Sequence, residues 1–496
     1  MDAYIARAHQ ARSSKWKKKP SNLGYNNPQS YSWHGRLLVF VPSSKPSSKY
    51  AVGTGARAIM SLRDNNNNTS QPESPLKSES EFPPKKTPRE QTDTEPEVEY
   101  KPVEPKPSSI QIMAPPSPKI NNMYKNQATL PRLPLPSLEA TLELFLESTQ
   151  TLVSPLEQQK NKSAVASFLS TTGPTLHESL VAIDNDPANL QTSWFHNFHN
   201  DMYMEARFPT YIYKNPAGVL KTEVLASSGI SGQIDLAAHL IAATIVFMDS
   251  VINETLEPDV FKGFPLDMLQ YSRMVAATRI PKQNRDVYAK AEDPSKIAHI
   301  IVTRGSNFYK IAVKNKSCEQ IKSALNSIVN SDETLSQPSV GVLTCDNRDL
   351  WATNRETLLN QSNKNRNSLK DIDEALFVIC LDPPLEASQE SLSTAMRAAM
   401  HGNPRHRWFD KPVQLIVTAE GKLCSNAEHS WGDGICMARW GEELVKEIKT
   451  PTYNLKGGSK ADFSEITFTT DEDLDSAITL AGSKAGEFQS VCARHY

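Results

Sequence analysis

The stretch His429-Ser430-Trp431-Gly432-Asp433-Gly434 sets an imidazole four residues ahead of a carboxylate, with glycine on either side of the acid. An imidazole titrates near neutrality, so it takes a proton from a hydroxyl or thiol and later returns it. A positioned base of this kind contributes roughly 10²–10⁴-fold to a rate. Three other readings fit the same residues. A histidine is also satisfied in a core by a backbone carbonyl. Asp433 is a good N-cap for a following helix. A metal site of His429, Asp433 and Cys436 needs further ligands, and the chain has neither a Cys-x-x-Cys nor a His-Glu-x-x-His pattern to supply them. Spacing alone leaves these readings open.

The neighbouring elements decide how the histidine is held. Val413 to Val417 reads as a strand, Glu420-Gly421 as a turn, and Lys422 to Ala427 as the return strand. Beyond Gly434 the apolar positions Ile435, Met437, Ala438, Trp440 and Leu444 take helical spacing, with Lys446 and Lys449 towards the end. His429 then sits at a strand–loop–helix junction, fixed by rigid neighbours yet able to face a cavity.

The chain has 496 residues, 38% hydrophobic and 22% charged, with a formal net charge of -2, enough for one large or two medium domains. Near-neutral charge gives no reason to invoke nucleic acid. Six cysteines are scattered without paired spacing and read as free thiols of a reducing compartment. Leu236 to Met248 is the most apolar run, too short for a bilayer and better suited to a buried helix.

Composition divides the chain. Residues 1–63 hold a single acid, Asp2, and many lysines and arginines, the composition of a mitochondrial transit segment or of a basic tail. Residues 64–127 are rich in Pro, Ser, Glu and Lys and read as an unfolded linker. Folded sequence is expected from 128 to 470. Helical patterns run at Leu138 to Leu152, Lys162 to Leu169, Ser193 to Arg207, Asp235 to Leu256, Ser317 to Asn330 and Arg348 to Leu359. Strand patterns run at Ala298 to Val302, Asn307 to Val313, Gly341 to Leu343 and Ala375 to Leu381. Helices and strands without regular alternation predict α/β or α+β layering. Arg407-Trp408-Phe409-Asp410-Lys411 reads as an ion pair at the strand entrance, and Lys456-Gly457-Gly458-Ser459-Lys460 as a surface turn without Walker spacing.

Several stretches share one resemblance. Glu428-His429-Ser430-Trp431-Gly432-Asp433-Gly434 resembles the catalytic signature of the carnitine/choline acyltransferase family, in the form of its mitochondrial palmitoyl-transferring members. Leu130-Pro131-Arg132-Leu133-Pro134, Trp194-Phe195 with Met202 to Arg207, Pro265 to Met268 with Gln270-Tyr271, Thr278 to Pro281, Asn347-Arg348-Asp349 with Trp351, and Arg407 to Lys411 follow in the family's order. The resemblance covers roughly Leu130 to Thr470.

It implies a chloramphenicol-acetyltransferase-like domain of layered α/β type, with a second such domain largely missing and 471–496 as its start. It implies long-chain acyl transfer between coenzyme A and carnitine, both substrates, with no cofactor and no metal. His429 would be the general base and Asp433 a supporting carboxylate. Tyr213 or Tyr211 would occupy a carnitine-contacting position, or both are packing aromatics. It further implies a mitochondrial location on the matrix side of the inner membrane, with peripheral membrane association. The family's Ser-Thr-Ser motif, which contacts oxyanion and carnitine, is not found in the chain. An inactive fragment acting as a binding protein, or a transferase of shorter acyl groups, are the alternatives.

Overall fold

The computed structural model describes residues 38–40 and 122–495, apart from 190–191, 221–224, 226–227, 332–338 and 385–391. The basic stretch 1–63 therefore lies outside the described residues except for one short strand, and so does most of the 64–127 linker. The end of that linker needs correcting. Met123 and Tyr124 are buried and the Met123 amide donates to the Glu254 carbonyl, so packing starts by Asn122 rather than after Gln127.

Three helices lead: α1 (Leu138–Thr149), α2 (Pro155–Ser170) and α3 (Thr172–Asn185). Ser137 caps α1 through the Ala140 amide. A reciprocal Ser154/Glu157 box with Pro155 in the first turn starts α2. Then come α4 (Phe195–Met204), the short α5 (Thr210–Tyr213) and the long α6 (Gly232–Ile252). By length and composition α6 would cross a bilayer, but Leu236, Leu240, Ile241 and Phe247 are buried in the core. The remaining helices are α7 (Cys318–Val329), α8 (Arg348–Gln361), α9 (Asn363–Glu374), α10 (Leu392–Met400), α11 (Gly434–Lys449) and α12 (Glu472–His495).

The strands are β1 (Leu38–Phe40), β2 (Ala217–Leu220), β3 (Val260–Phe261), β4 (Phe264–Pro265), β5 (Ala277–Ile280), β6 (Val287–Lys290), β7 (His299–Arg304), β8 (Asn307–Ala312), β9 (Val378–Leu381), β10 (Gln414–Val417), β11 (Leu423–Asn426) and β12 (Phe463–Ile466). Eight of them form one mixed sheet in the order β1-β2-β11-β10-β9-β7-β8-β12. β3–β4 and β5–β6 are separate antiparallel hairpins.

Side chains alternate between the two faces of the sheet. Leu415, Val417 and Leu423 join α6, α7 and α11 in one core, whereas Ile416, Cys424 and Cys380 join α8, α9, α10 and α12 in the other. Both faces are covered, which gives the expected mixed α/β layering. The five described cysteines, Cys318, Cys345, Cys380, Cys424 and Cys436, are buried and unpaired.

Two expectations fail for physical reasons. Gly341 to Leu343 is a buried 3₁₀ turn within Val340–Cys345, not a strand. A short apolar run does not distinguish the two. Here Gly341 lies so close to the Arg407 carbonyl that an added Cβ would meet it at 2.6 Å. The run from 471 was expected to open another domain. Instead Leu474, Ile478 and Ala481 of α12 are buried in the same core as α8 and β9. The Lys456 to Lys460 stretch is a turn with Gly457 and Gly458 at positive φ, tied to α7 by the Ser317 hydroxyl.

Candidate functional site

Backbone pairing alone brings the key groups together. β11 runs antiparallel to β2, with Asn426 opposite Ala217, and antiparallel to β10, with Asn426 opposite Gln414. The ladder continues past the strand end. The Ala427 amide donates to the Pro216 carbonyl at 3.1 Å and the Glu428 amide to the Lys411 carbonyl at 3.1 Å. One residue later the chain leaves the sheet, and His429 arrives beside Lys214.

His429 Nδ1 lies 3.0 Å from the Lys214 carbonyl oxygen. A carbonyl only accepts, so Nδ1 carries the proton and donates it, and Nε2 is the unprotonated nitrogen. The Tyr203 hydroxyl, 3.4 Å from Nδ1, is a longer second contact, and its ring meets the imidazole edge-on with centroids 5.3 Å apart. Burial pushes the His429 pKa below its ordinary value, against the opposing pull of the Glu428 carboxylate, the Lys214 carbonyl and Asp433. The imidazole is thus neutral at pH 7, the form a base requires.

Asp433 comes to the same loop but does a different job from orienting His429. Its Oδ1 accepts from the Ile435 amide at 2.9 Å, which caps α11. Gln270 clamps it from the other side, accepting from the Asp433 amide at 2.8 Å and donating to Oδ2 at 3.5 Å. Among the described residues no hydrogen bond joins Asp433 to His429. The orienting group is the Lys214 carbonyl, which sequence spacing did not reveal.

Behind His429 lies a buried network of alternating charge. Arg279 binds Asp286 at 2.7 Å and Glu428 at 3.0 Å, and Arg348 binds Asp286 at 2.7 Å and Asp410 at 2.6 Å. Arg207 adds a third guanidinium to Asp286 at 2.5 Å, and the Trp351 indole donates to Asp410 at 2.7 Å. Burial raises the Asp286 pKa, but Arg348, Arg279 and Arg207 more than reverse this and hold it below the usual carboxylate range. Glu428 completes the path to the loop, since its Oε2 accepts from both the amide and the hydroxyl of Ser430.

Arg407 to Lys411 is correspondingly not one ion pair at the strand entrance, because its two cations have separate buried partners. Arg407 is fully buried and grips Asp382 with two bonds of 2.7 Å. The Lys411 ammonium donates to the carbonyls of Ile372, Asp373 and Ala375 at the end of α9.

The motifs gathered here have counterparts. The choline/carnitine O-acyltransferase family model matches residues 133–494. The chain belongs to that family. Human mitochondrial carnitine O-palmitoyltransferase 2 is 30% identical over 400 residues, covering 72% of this chain and 59% of the relative. The Xenopus tropicalis enzyme of that name gives the same figures. Human carnitine O-acetyltransferase is 28% identical over 351 residues, covering 67% and 55%. The chain thus spans about 59% of the length of its palmitoyltransferase relatives.

In this acyltransferase-family chain the tyrosine beside the histidine is Tyr203, not Tyr211 or Tyr213. Tyr211 is buried against Phe409, and Tyr213 is exposed near Phe208 and Phe488. The sign that marks Tyr203 is the histidine-rich, aromatic sequence of α4, where positions 199 and 203 share a face and their rings meet edge-on with centroids 5.2 Å apart. An apolar cavity of about 30 Å³ lies between β2, β10, β11 and α11, lined by Ala217, Leu415, Leu423, Trp431, Trp440 and Gly441 among others. Ala427 and Trp431, which flank His429 in sequence, are part of its wall.

Proposed function

We propose that this chain transfers acyl groups between coenzyme A and carnitine, with His429 as the general base. The observation that carries this reading is the His429–Lys214 hydrogen bond, which leaves Nε2 unprotonated and unspent. Nε2 takes the proton of the carnitine hydroxyl, and the oxygen attacks the thioester carbonyl to give a tetrahedral oxyanion. Collapse breaks the carbon–sulfur bond, and the departing sulfur takes the proton back from Nε2. No acyl-enzyme forms on this route.

The preferred acyl group on the family resemblance is long, as in the palmitoyltransferase relatives, and the site of action is mitochondrial. The acid-poor basic stretch 1–63 and the name of those relatives support the location. Peripheral attachment to the matrix face of the inner membrane belongs to the same reading. A shorter acyl group is the second reading, supported by the similarity to human carnitine O-acetyltransferase. Transfer from acyl-CoA to carnitine, measured on the purified chain over several acyl lengths, tests both. Turnover that survives His429→Ala rejects the base. A chain that binds carnitine yet transfers nothing makes it a binding protein.

A further inference from the structure

Lys214 stands between α5, which ends at Tyr213, and β2, which begins at Ala217. Its carbonyl, the acceptor for His429 Nδ1, therefore belongs to neither the helix nor the strand. The amides of Lys214 and Asn215 both donate to the Thr210 carbonyl at 2.9 Å, so the Lys214 carbonyl moves with α5. One turn of helix is too short to be stable by itself. Its position has to come from contacts outside it.

Two sets of contacts supply that position. Asn215 is buried, and its Nδ2 donates to the Phe409 carbonyl at 2.9 Å and to Asn426 Oδ1 at 3.1 Å. Asn426, at the end of β11, donates in turn to the Ala399 and Met400 carbonyls at 3.1 and 3.3 Å. The amide pair ties the residue after Lys214 to the strand that leads into His429. On the other side, Tyr211 of α5, Cys345, Phe409 and Ala485 of α12 form a small core apart from the two that cover the sheet. Phe488, one turn beyond Ala485, meets the Tyr211 ring edge-on at 6.3 Å and the Tyr213 ring edge-on at 5.6 Å. Such contacts have a preferred geometry, so they orient α5 as well as cover it. α12 is anchored in turn by Lys484 on Asp346 at 3.1 Å and by Gln489 on the Gly402 carbonyl at 2.6 Å.

We propose that Asn215 and Phe488 are positioning residues for His429, acting through the Lys214 carbonyl. Asn215 fixes that carbonyl from the sheet and Phe488 fixes it from α12, at the place where it accepts the Nδ1 proton. Once the carbonyl moves away, the neutral ring is free to carry its proton on Nε2, and a protonated Nε2 accepts none from a substrate. The proposal rests on the acyl-transfer reading for what the base does, but the tautomer is measured without turnover.

The test joins steady-state kinetics to heteronuclear NMR of the full chain labelled at histidine nitrogens, with the His429 signals identified by their loss in His429→Gln. The wild type should show a protonated Nδ1 and an unprotonated Nε2. Asn215→Leu keeps the bulk and removes the amide, and Phe488→Ala removes the ring. Each should place the proton on Nε2 in part of the molecules and lower kcat by roughly 10- to 10²-fold, with KM for carnitine and acyl-CoA unchanged. Phe488→Tyr keeps the ring and should restore both readouts. A packing role alone lowers the melting temperature without moving the tautomer. A wild-type tautomer in both folded variants overturns the proposal, as does a shifted tautomer with undiminished kcat or a wild type protonated on Nε2. Phe488 is only half-buried, so Phe488→Ala decides the matter if Asn215→Leu fails to fold. Absence of acyl transfer in the wild type, alongside a tautomer that shifts in the variants, rejects the acyl-transfer reading and leaves the positioning of His429 standing.

Discussion

Arg279 holds Glu428 at 3.0 Å with neither side chain exposed, and Glu428 is the residue immediately before His429. The peptide bond therefore ties His429 to a charge network that runs through Asp286 to Arg348 and Asp410. A buried pair of this kind adds little over well-packed apolar residues, but breaking it leaves a charge stranded in low dielectric. Glu428→Gln should cost about 3 kcal/mol of stability and displace the loop that carries His429. Urea unfolding checks the first effect. A double cycle with Arg279→Met checks the coupling, since removing both charges should cost less than the two single changes added together.

His429→Ala should lower acyl transfer by roughly 10²–10⁴-fold while leaving the unfolding midpoint nearly unchanged, because the ring is only partly buried. Tyr203→Phe keeps the edge-on ring contact and removes the hydroxyl that lies 3.4 Å from His429 Nδ1, a long contact, so its effect should stay within about tenfold. Steady-state rates of the two variants against wild type distinguish them. Equal losses would mean that the phenol, and not the Lys214 carbonyl, orients the base.

Buried histidines make stability depend on pH with a definite sign. Burial and the neighbouring Arg407 push the His406 pKa down from 6.5 to about 4, with Asp382 opposing. Between those values the unfolded chain binds the proton and the folded one does not, so stability falls as pH drops from about 6.5 to about 4. The loss from His406 alone is on the order of 3 kcal/mol. His299, His401 and His429 are shifted the same way by burial and steepen the decline. Melting temperature against pH measures it, and His406→Gln should flatten the curve over that window.

The hairpin, its Gly421 turn and the helix that Asp433 caps were legible because each is decided by residues a few positions apart. The partners of His429 were not. Lys214 is 215 residues away and enters only because β2 pairs with β11, a register no local pattern fixes. The charge network was half visible. Arg279, Arg348, Asp410 and Glu428 each stand in one of the sequence motifs, but a charge inside an apolar run does not announce its partner. Arg407 to Lys411 reads from sequence as an ion pair at the strand entrance for that reason. Burial on both sides of the sheet makes it part of the interior instead.

Asp433 separates capping from catalysis. Asparagine caps a helix about as well as aspartate, so Asp433→Asn should retain the fold and lose little activity. Asp433→Ala removes the acceptor for the Ile435 amide and should cost about 1 kcal/mol. Activity in both variants should follow stability. A large rate loss in a fully folded Asp433→Asn protein would restore the carboxylate to a direct part in the chemistry.

The last expectation concerns the apolar cavity. Gly441 sits within α11 and lines that cavity, and a Cβ built on it meets nothing within 4 Å. Gly441→Ala should therefore fit without strain and stabilise the helix by about 1 kcal/mol, since glycine is a poor helix former. Gly441→Leu fills the space that remains between Leu415, Leu423 and Trp440. If acyl chains enter there, the leucine variant should discriminate against longer chains, raising KM with chain length while the shortest acyl group is turned over as before. An unchanged chain-length profile in a folded Gly441→Leu protein would place the acyl group elsewhere, and the stabilising alanine variant would then report on helix packing alone.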